Sequence, residues 1–208
     1  MLDRRPQLLV FLKNPQPGAV KTRLAATIGP EEAARLYRHW IALVLQQLQP
    51  LRNTVHLVGL FAGGGINDFQ EWHTLVHDWR EQSDGDLGRR LERAFETGHG
   101  LGSPVVAVGT DCLELSADLV SQAFAALSDH EAVFGPANDG GYYLVGTARP
   151  LPGFFTAIRW SSQHTLADHL ARCRQHGWSV ALLPVRHDID TWEDWQAYLA
   201  RQESRHVG

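Results

Sequence analysis

Two uninterrupted apolar runs constrain the fold of this chain more than any other feature. Leu8–Leu12 (LLVFL) and Val105–Val108 (VVAV) are apolar at every position rather than at alternate positions. Strands that are apolar on both sides are typical of a parallel sheet whose two faces are covered by helices. A polar segment that contains glycine follows each run, so the chain is expected to leave the sheet at these points.

Helical segments alternate with the strands along the chain. Pro30–Gln49 repeats apolar residues with a helical period, and Val55–Leu60 is a third apolar run. The other predicted helices are Asn67–Trp79, Arg89–Thr97, Ser116–Leu127, a segment from Ser161 or Ser162 to about Gly177, and Trp192–Arg201; the other predicted strands are Ala132–Phe134, Tyr142–Val145 and Val180–Pro184. This alternation predicts an α/β domain with three layers, α/β/α, around a mostly parallel sheet.

Length and charge limit the classes of function. The 208 residues suit a single domain spanning 1–208, and no segment has the composition of a linker. With 19 Lys and Arg against 23 Asp and Glu, the formal net charge is −4, which favours neither a nucleic acid nor a membrane surface as partner. Two cysteines cannot form a disulfide framework, so we expect a reducing, cytoplasmic location.

The segment after the first strand carries a concentration of positive charge. Lys13, Lys21 and Arg23 flank or lie within a loop that also contains Pro17, Gly18 and Thr22. Backbone N–H groups, fixed positive charges and a hydroxyl are what a phosphate-binding loop requires. The loop matches neither the P-loop pattern nor the dinucleotide fingerprint. A surface loop with solvated lysines is the alternative interpretation.

Carboxylates follow two other predicted strands. Asp111 comes directly after Val105–Val108, where it can hold Mg²⁺ or Mn²⁺ or can cap the next turn. Asp188 and Asp190 alternate, so they share one face of an extended segment, although Asp190 or Thr191 can also cap the last helix. Ligands bind at the carboxyl ends of the strands in such sheets. Asp111 and Asp190 would form a two-carboxylate cation site there, and the spacing leaves open whether Asp188 replaces Asp190.

A fourth polar segment contains four candidate acceptor-binding residues, Asn138, Asp139, Gly140 and Gly141. The two glycines permit close approach of a ligand to the backbone, and the Asn and Asp side chains offer polar contacts. A β-turn between two strands explains the same residues without a ligand.

Taken together, five sequence blocks resemble a bacterial family. In order they are K-x-P-x-P-G-x-V-K-T-R-L, Q-x-x-G-D-L-G-x-R-L, G-T-D-C, G-P-x-x-D-G-G-Y-Y-L-V-G and D-x-D-T-x-E-D. They resemble DUF2064, whose members are also labelled glycosyltransferases or radical-SAM/selenodomain-associated transferases. That family is similar to the nucleotide-diphospho-sugar transferase superfamily, which has the GT-A type fold.

The resemblance implies roles for particular residues. Pro17–Arg23 matches the nucleotide-binding loop, in which Lys21 and Arg23 match the phosphate contacts. Asp111 matches the metal-binding Asp after the central strand, and Asp190 matches the second metal Asp of a D-T-P-E-D segment, although Trp192 stands here in place of Pro. The implied cofactor is Mg²⁺ or Mn²⁺. A nucleotide-binding part would span about 1–115, and an acceptor-side part about 116–208.

The resemblance is compatible with three functions. The first is nucleotidyl transfer from a nucleoside triphosphate to a small phosphorylated acceptor, in which Lys21, Arg23 and Asp111 are catalytic. The second is glycosyl transfer from a nucleotide-diphospho-sugar, for which Asp139 is a candidate base. The third is a nucleotide-binding module without activity. The Lys21–Arg23 cluster favours the first, and the customary family label favours the second.

Overall fold

A computed structural model describes residues 5–206 as one seven-stranded sheet with six α-helices. The strands are β1 (Gln7–Lys13), β2 (His56–Ala62), β3 (Asp78–Glu81), β4 (Val105–Val108), β5 (Ala132–Pro136), β6 (Tyr142–Thr147) and β7 (Val180–Leu182). The helices are α1 (Thr22–Ile28), α2 (Pro30–Gln47), α3 (Leu87–Leu101), α4 (Ala117–Ala126), α5 (Thr165–His176) and α6 (Trp192–His206).

The sheet is mixed, and its strand order is β3-β2-β1-β4-β6-β5-β7. β6 runs antiparallel to both of its neighbours, β4 and β5, and every other pairing is parallel. The three-layer α/β fold and the mostly parallel sheet are therefore confirmed. Because β6 runs in the opposite direction, its first residues lie at the edge where the parallel strands end.

The two apolar runs, Leu8–Leu12 and Val105–Val108, lie in β1 and β4 at the centre of the sheet. Leu8, Val10 and Leu12 of β1 pack on one side with α2, while Leu9 packs on the other side with α3. All four residues of β4 are buried. Two hydrophobic clusters, one on each side of the sheet, thus explain why neither strand alternates apolar and polar residues.

One predicted helix is wrong. The segment predicted as a helix over Asn67–Trp79 instead forms a 3₁₀ segment, Ile66–Leu75, and then the edge strand β3. Phe69 and Trp72 are both buried and lie three residues apart in the sequence. This spacing occurs in a 3₁₀ segment as well as in an α-helix, so the sequence pattern does not distinguish the two. β3 (DWRE) pairs only with β2, and its residues are partly exposed, so it lacks the apolar run of a central strand.

The segment 148–164 contains no helix or strand, and its apolar residues pack on the face of the sheet that α3 and α5 also cover. Its Trp160 lies over the start of α3, where a Cβ added at Gly88 would be 2.5 Å from Trp160 Nε1. α5 begins at Thr165, three to four residues later than predicted. Within residues 5–206, no helix is both long and apolar enough to span a bilayer.

Candidate active site

A cavity of about 640 Å³ opens at the carboxyl ends of β1 and β4. From β1 the chain continues to β2 toward one edge of the sheet, and from β4 it continues to β5 toward the other edge. The strand order therefore reverses between β1 and β4, which makes this the switch point where α/β sheets bind ligands. Of the residues singled out in the sequence, those lining the cavity are Lys13, Lys21, Thr22, Arg23, Asp111, Asp188 and Asp190. Three segments far apart in the chain therefore converge as the strand-end argument predicted.

Lys21 joins these segments through its ammonium group. Its Nζ lies 2.9 Å from Asp111 Oδ1, 3.0 Å from Asp190 Oδ1 and 2.6 Å from the carbonyl oxygen of Ile189. The Ile189 N–H in turn donates to the Asp111 carbonyl at 3.0 Å, so the segment after β7 is tied to the end of β4. The ammonium therefore connects the loop after β1 to the carboxylates on the other side of the cavity.

The surroundings of Lys21 explain how a buried cation is tolerated. Its side chain is only 6% exposed, and the ammonium lies 5.5 Å from the Trp40 ring centroid and 6.0 Å from that of Tyr37. Burial by itself would lower the pKa of Lys21, but the charges of Asp111 and Asp190 outweigh burial and raise that pKa above its usual value. Lys21 is thus held in its charged form.

Asp188 is the least satisfied carboxylate of the cavity. Its Oδ1 is buried and has no hydrogen-bond partner among the described residues. Burial first, and then the negative charges of Asp111 and Asp139, raise its pKa to about 7. An unpartnered oxygen beside a second carboxylate is an environment that a divalent cation would stabilise. The donor set therefore fits Mg²⁺ or Mn²⁺, with Asp111 and either Asp188 or Asp190 as protein ligands.

A cation at this position would need ligands from the substrate as well. Within the described part of the chain, no group of three or more His, Cys, Asp or Glu side chains is arranged to hold a metal. Mg²⁺ and Mn²⁺ are commonly held by one or two carboxylates together with substrate phosphates and water. Two protein carboxylates beside a set of basic residues are consistent with that arrangement.

In the D-x-D-T-x-E-D block, the residues that cap α6 are different from the carboxylate that faces the cavity. Asp194 Oδ2 accepts hydrogen bonds from the backbone N–H of Asp190 and of Thr191, and from the Thr191 hydroxyl, at 2.8–3.1 Å. Thr191 Oγ1 accepts from the Asp194 N–H at 3.2 Å. Thr191 and Asp194 therefore cap the start of α6 reciprocally. The Asp190 carboxylate is left to pair with Lys21 and, at 3.6 Å, with the exposed guanidinium of Arg23.

The predicted phosphate-binding loop lines the cavity only in part. Lys13, Lys21, Thr22 and Arg23 line it, whereas Pro17 and Gly18 lie outside its wall. Gly18 has φ 78° and no atom near the position of a Cβ, so its turn conformation is what requires glycine. A direct ligand contact by Pro17 and Gly18 stays a prediction.

The Asn138–Gly141 turn lies beside the cavity rather than in its wall. Asn138 and Asp139 are exposed, and Asp139 Oδ1 accepts the Gly141 N–H at 2.8 Å. Gly140 has φ 88°, and a Cβ there would be 2.2 Å from the carbonyl oxygen of Gln163. Glycine is therefore required here by the packing of the 159–165 turn, and the acceptor role of these four residues stays a prediction.

Seven further residues line the cavity although no sequence pattern predicts a role for them individually: Gln82, Gly85, Asp86, Arg90, Tyr142, Tyr143 and Ser161. Asp86 caps α3 by accepting the Arg89 N–H, and Arg90 Nε donates to the Gly85 carbonyl at 2.9 Å. The signal for them was present, because the Q-x-x-G-D-L-G-x-R-L block contains four of the seven. The block follows β3, which the sequence predicts as part of a helix, so the block is not predicted to lie at a strand end.

Similar structures fall into one class of fold. A protein of Desulfovibrio desulfuricans G20, provisionally named a nucleotide-diphospho-sugar transferase, is 32% identical over 91% of this chain and 84% of its own, with a TM-score of 0.82. A cytidylyltransferase of Leptospira borgpetersenii is 15% identical over 93% and 84%, with a TM-score of 0.60. Glucosyl-3-phosphoglycerate synthase of Mycobacterium tuberculosis, solved with Mn²⁺, UDP and glucosyl-3-phosphoglycerate, is 13% identical over 96% and 77%, also at 0.60.

The fold and the position of the cavity define a GT-A-like protein of the nucleotide-diphospho-sugar transferase superfamily. Residues 45–162 match the family described as "Uncharacterized protein conserved in bacteria (DUF2064)", and the chain belongs to that family. No curated protein matches the chain in sequence. Lys21 and Asp190 lie outside the matched residues 45–162, whereas Asp111 lies within them. The ion pairs of Lys21 with Asp111 and Asp190 bring the three residues together in the folded structure.

Proposed function

We propose that the protein is a metal-dependent transferase that acts on a nucleotide-activated substrate, and that it transfers a nucleotidyl group from a nucleoside triphosphate to a small phosphorylated acceptor. One observation carries the proposal. The Lys21 ammonium and the carboxylates of Asp111 and Asp190 converge within 3.0 Å at the switch point of the sheet. Basic groups for a polyphosphate and carboxylates for its cation thus lie in one cavity.

The chain's own groups would act by positioning and by neutralising charge. Lys13, Lys21, Thr22 and Arg23 would bind the phosphates and offset negative charge on the departing pyrophosphate. Asp111, with Asp190 or Asp188, would hold Mg²⁺ or Mn²⁺, which supplies Lewis-acid polarisation of phosphate oxygens. An acceptor phosphate oxygen attacks the α-phosphorus, a P–O bond forms, and the bond to the pyrophosphate oxygen breaks.

This mechanism needs no nucleophile from the protein. Cys112, the residue after Asp111, is a poor candidate, because burial raises the pKa of its thiol far above the usual value. Both Cys112 and Cys173 are buried and free, which suits a reducing, cytoplasmic location. The phosphorylated acceptor therefore provides the attacking oxygen in this proposal.

Glycosyl transfer is the second candidate function. The exposed Asp139 carboxylate lies at the rim, close enough to Asp188 to influence its pKa, and could accept a proton from an acceptor hydroxyl. The family label and the fold of the glucosyl-3-phosphoglycerate synthase support this alternative. A binding module without activity is the third.

We also propose that 1–208 acts as one domain, in which about 1–115 binds the nucleotide and about 116–208 faces the acceptor. The strand order supports this division, because β1 to β4 are adjacent in one half of the continuous sheet and β5 to β7 are adjacent in the other half. The acceptor-side elements begin with α4.

The products distinguish the three functions. The protein is incubated with Mn²⁺ and each nucleoside triphosphate, or with UDP- and GDP-sugars, against a panel of phosphorylated and hydroxylated acceptors. Pyrophosphate release supports nucleotidyl transfer, nucleoside diphosphate release supports glycosyl transfer, and binding with neither product supports the module.

A matched pair of variants tests the proposed metal site. Asp111→Asn should abolish metal-dependent nucleotide binding, whereas Asp118→Asn removes the same charge from an exposed position of α4 and should leave it intact. Unchanged metal dependence in Asp111→Asn would show that the proposed site is wrong.

A further inference from the structure

The Lys21 ammonium occupies a position that a metal ion would need. Three oxygens surround it, from Asp111, Asp190 and the Ile189 carbonyl, at 2.6–3.0 Å. Two of these oxygens belong to carboxylates that were assigned to the cation on independent grounds. The described structure therefore places a protein cation between the candidate metal ligands.

The backbone at Lys21 is arranged for this contact. Lys21 has φ 47° and ψ 45°, a left-handed conformation that residues other than glycine rarely adopt. It lies at the start of α1, yet its side chain caps nothing there. Uncommon backbone geometry that is maintained by surrounding contacts is a feature of functional sites. Here it directs the side chain across the cavity toward the two carboxylates.

Simultaneous occupancy by the ammonium and a divalent ion is unfavourable. Two cations sharing the Asp111 and Asp190 oxygens would be within a few ångströms of each other, where the repulsion is only weakly screened because Lys21 is buried. A metal ion must therefore displace the ammonium or bind more weakly. A polyphosphate supplies anionic oxygens that can accept the displaced ammonium, beside Thr22 and Arg23.

We infer that Lys21 is a built-in competitor of the divalent cation, so that metal binding is weak until a nucleotide draws the ammonium onto its phosphates. In this role Lys21 is a positioning residue that makes metal and nucleotide bind with positive coupling, and the coupling is reciprocal by linkage. The inference rests on the proposed function in taking the cavity as a site for a nucleotide with its metal ion. It goes further by assigning to Lys21 the coupling between the affinity for the metal ion and the affinity for the nucleotide.

The test measures Mn²⁺ binding to the nucleotide-free protein by electron paramagnetic resonance of free Mn²⁺. Lys21→Met should raise the Mn²⁺ affinity by at least about tenfold, because a unit charge in contact with the ion's ligands is removed. Lys13→Met removes the same charge from an exposed position in the same cavity and should change the affinity by less than about twofold. Lys21→Arg keeps the charge and should keep the affinity low.

Equal Mn²⁺ affinities in Lys21→Met and wild type would overturn the inference, as would equal increases in Lys21→Met and Lys13→Met. If Lys21→Met does not fold, crystals of the wild type soaked in Mn²⁺ without nucleotide give a second measurement. Anomalous density between Asp111 and Asp190 at low millimolar Mn²⁺ would overturn the inference, and its absence there, with density appearing once CTP or another triphosphate is added, would support it.

Failure of the inference and failure of the proposed function are distinguishable. The Mn²⁺ titration requires no turnover, so a protein that releases neither pyrophosphate nor nucleoside diphosphate can still show the effect of Lys21. Conversely, an enzyme that turns over but shows the same Mn²⁺ affinity with and without Lys21 retains its function and loses only the competition.

Discussion

Replacing Gly140 by alanine tests whether this glycine serves the packing of the protein rather than a ligand. Two separate features oppose a side chain at this position. The backbone has φ 88°, and the added Cβ would lie 2.2 Å from the Gln163 carbonyl oxygen and 2.7 Å from the Gln163 Cα. These are backbone atoms, so no side-chain rotation can relieve the contact. The Leu166 N–H also donates to the Gly140 carbonyl at 3.0 Å, which fixes the two segments together.

A second glycine separates the two contributions. Gly177, at the end of α5, has φ 71° but no atom within 4 Å of an added Cβ, so Gly177→Ala measures the left-handed backbone alone. That conformation costs a residue other than glycine about 1–2 kcal/mol. Overpacking against a fixed neighbour adds about 1–3 kcal/mol. We therefore expect Gly177→Ala to lower the free energy of unfolding by about 1–2 kcal/mol and Gly140→Ala by about 2–5 kcal/mol.

Urea denaturation followed by circular dichroism compares the two variants with the wild type, and thermal denaturation provides a check. For a chain of this length, 1 kcal/mol corresponds to a change in Tm of about 2–4 °C. If Gly140→Ala is as stable as Gly177→Ala, the close contact with Gln163 does not exist and the packing argument fails. If Gly140→Ala keeps its stability but loses acceptor binding, the ligand role predicted from the sequence is correct instead.

Two further predictions concern other positions. Arg90 lines the cavity and makes no ion pair among the described residues, so its guanidinium is available to a phosphate. Arg90→Ala should therefore raise the Kd of the nucleotide about tenfold, whereas Arg89→Ala, at the exposed neighbouring position, should change that Kd less than about twofold. Isothermal titration calorimetry measures both Kd values. Equal effects would show that Arg90 does not contact the ligand. Burial lowers the pKa of His169 to about 4, below its value of about 6.5 in the unfolded chain, so only the unfolded chain takes up this proton as the pH falls between these values. His169 should therefore lower the free energy of unfolding by about 3 kcal/mol between pH 7 and pH 4. His169→Met should remove this contribution to the pH dependence. The contribution of His99 should remain, because burial also lowers the pKa of His99 to about 4. Urea denaturation at a series of pH values tests this, and an unchanged slope in His169→Met would contradict it.

The sequence predicts the centre of this fold well because the central strands are buried on both sides. β1 and β4 appear as unbroken apolar runs, and α2 shows a helical period because one face packs against the sheet. The edge strand β3 has neither signal: it has only one partner strand, and its residues are partly exposed. The antiparallel direction of β6 depends on contacts with β4 and β5, which no local pattern in the sequence records.

The candidate site follows the same division. Lys21, Asp111 and Asp190 could be predicted to lie together because each follows a strand, and strand ends meet at one edge. The unpartnered oxygen of Asp188 depends on its burial, which is a property of the folded structure. Ser161 could not be predicted to line the cavity, because its segment reaches the cavity only through tertiary contacts such as that between the neighbouring Trp160 and Gly88.

The position of the Lys21 ammonium 5.5 Å from the centre of the Trp40 ring gives the molecule an optical reporter of its own. The emission of an indole responds to a charge near its ring, and Trp40 is shielded from solvent, so movement of the ammonium should change the emission of Trp40. The protein has seven tryptophans, and the difference between wild type and Trp40→Phe isolates this one. Ligand-driven displacement of Lys21 could then be followed in real time, without a label, by stopped-flow fluorescence.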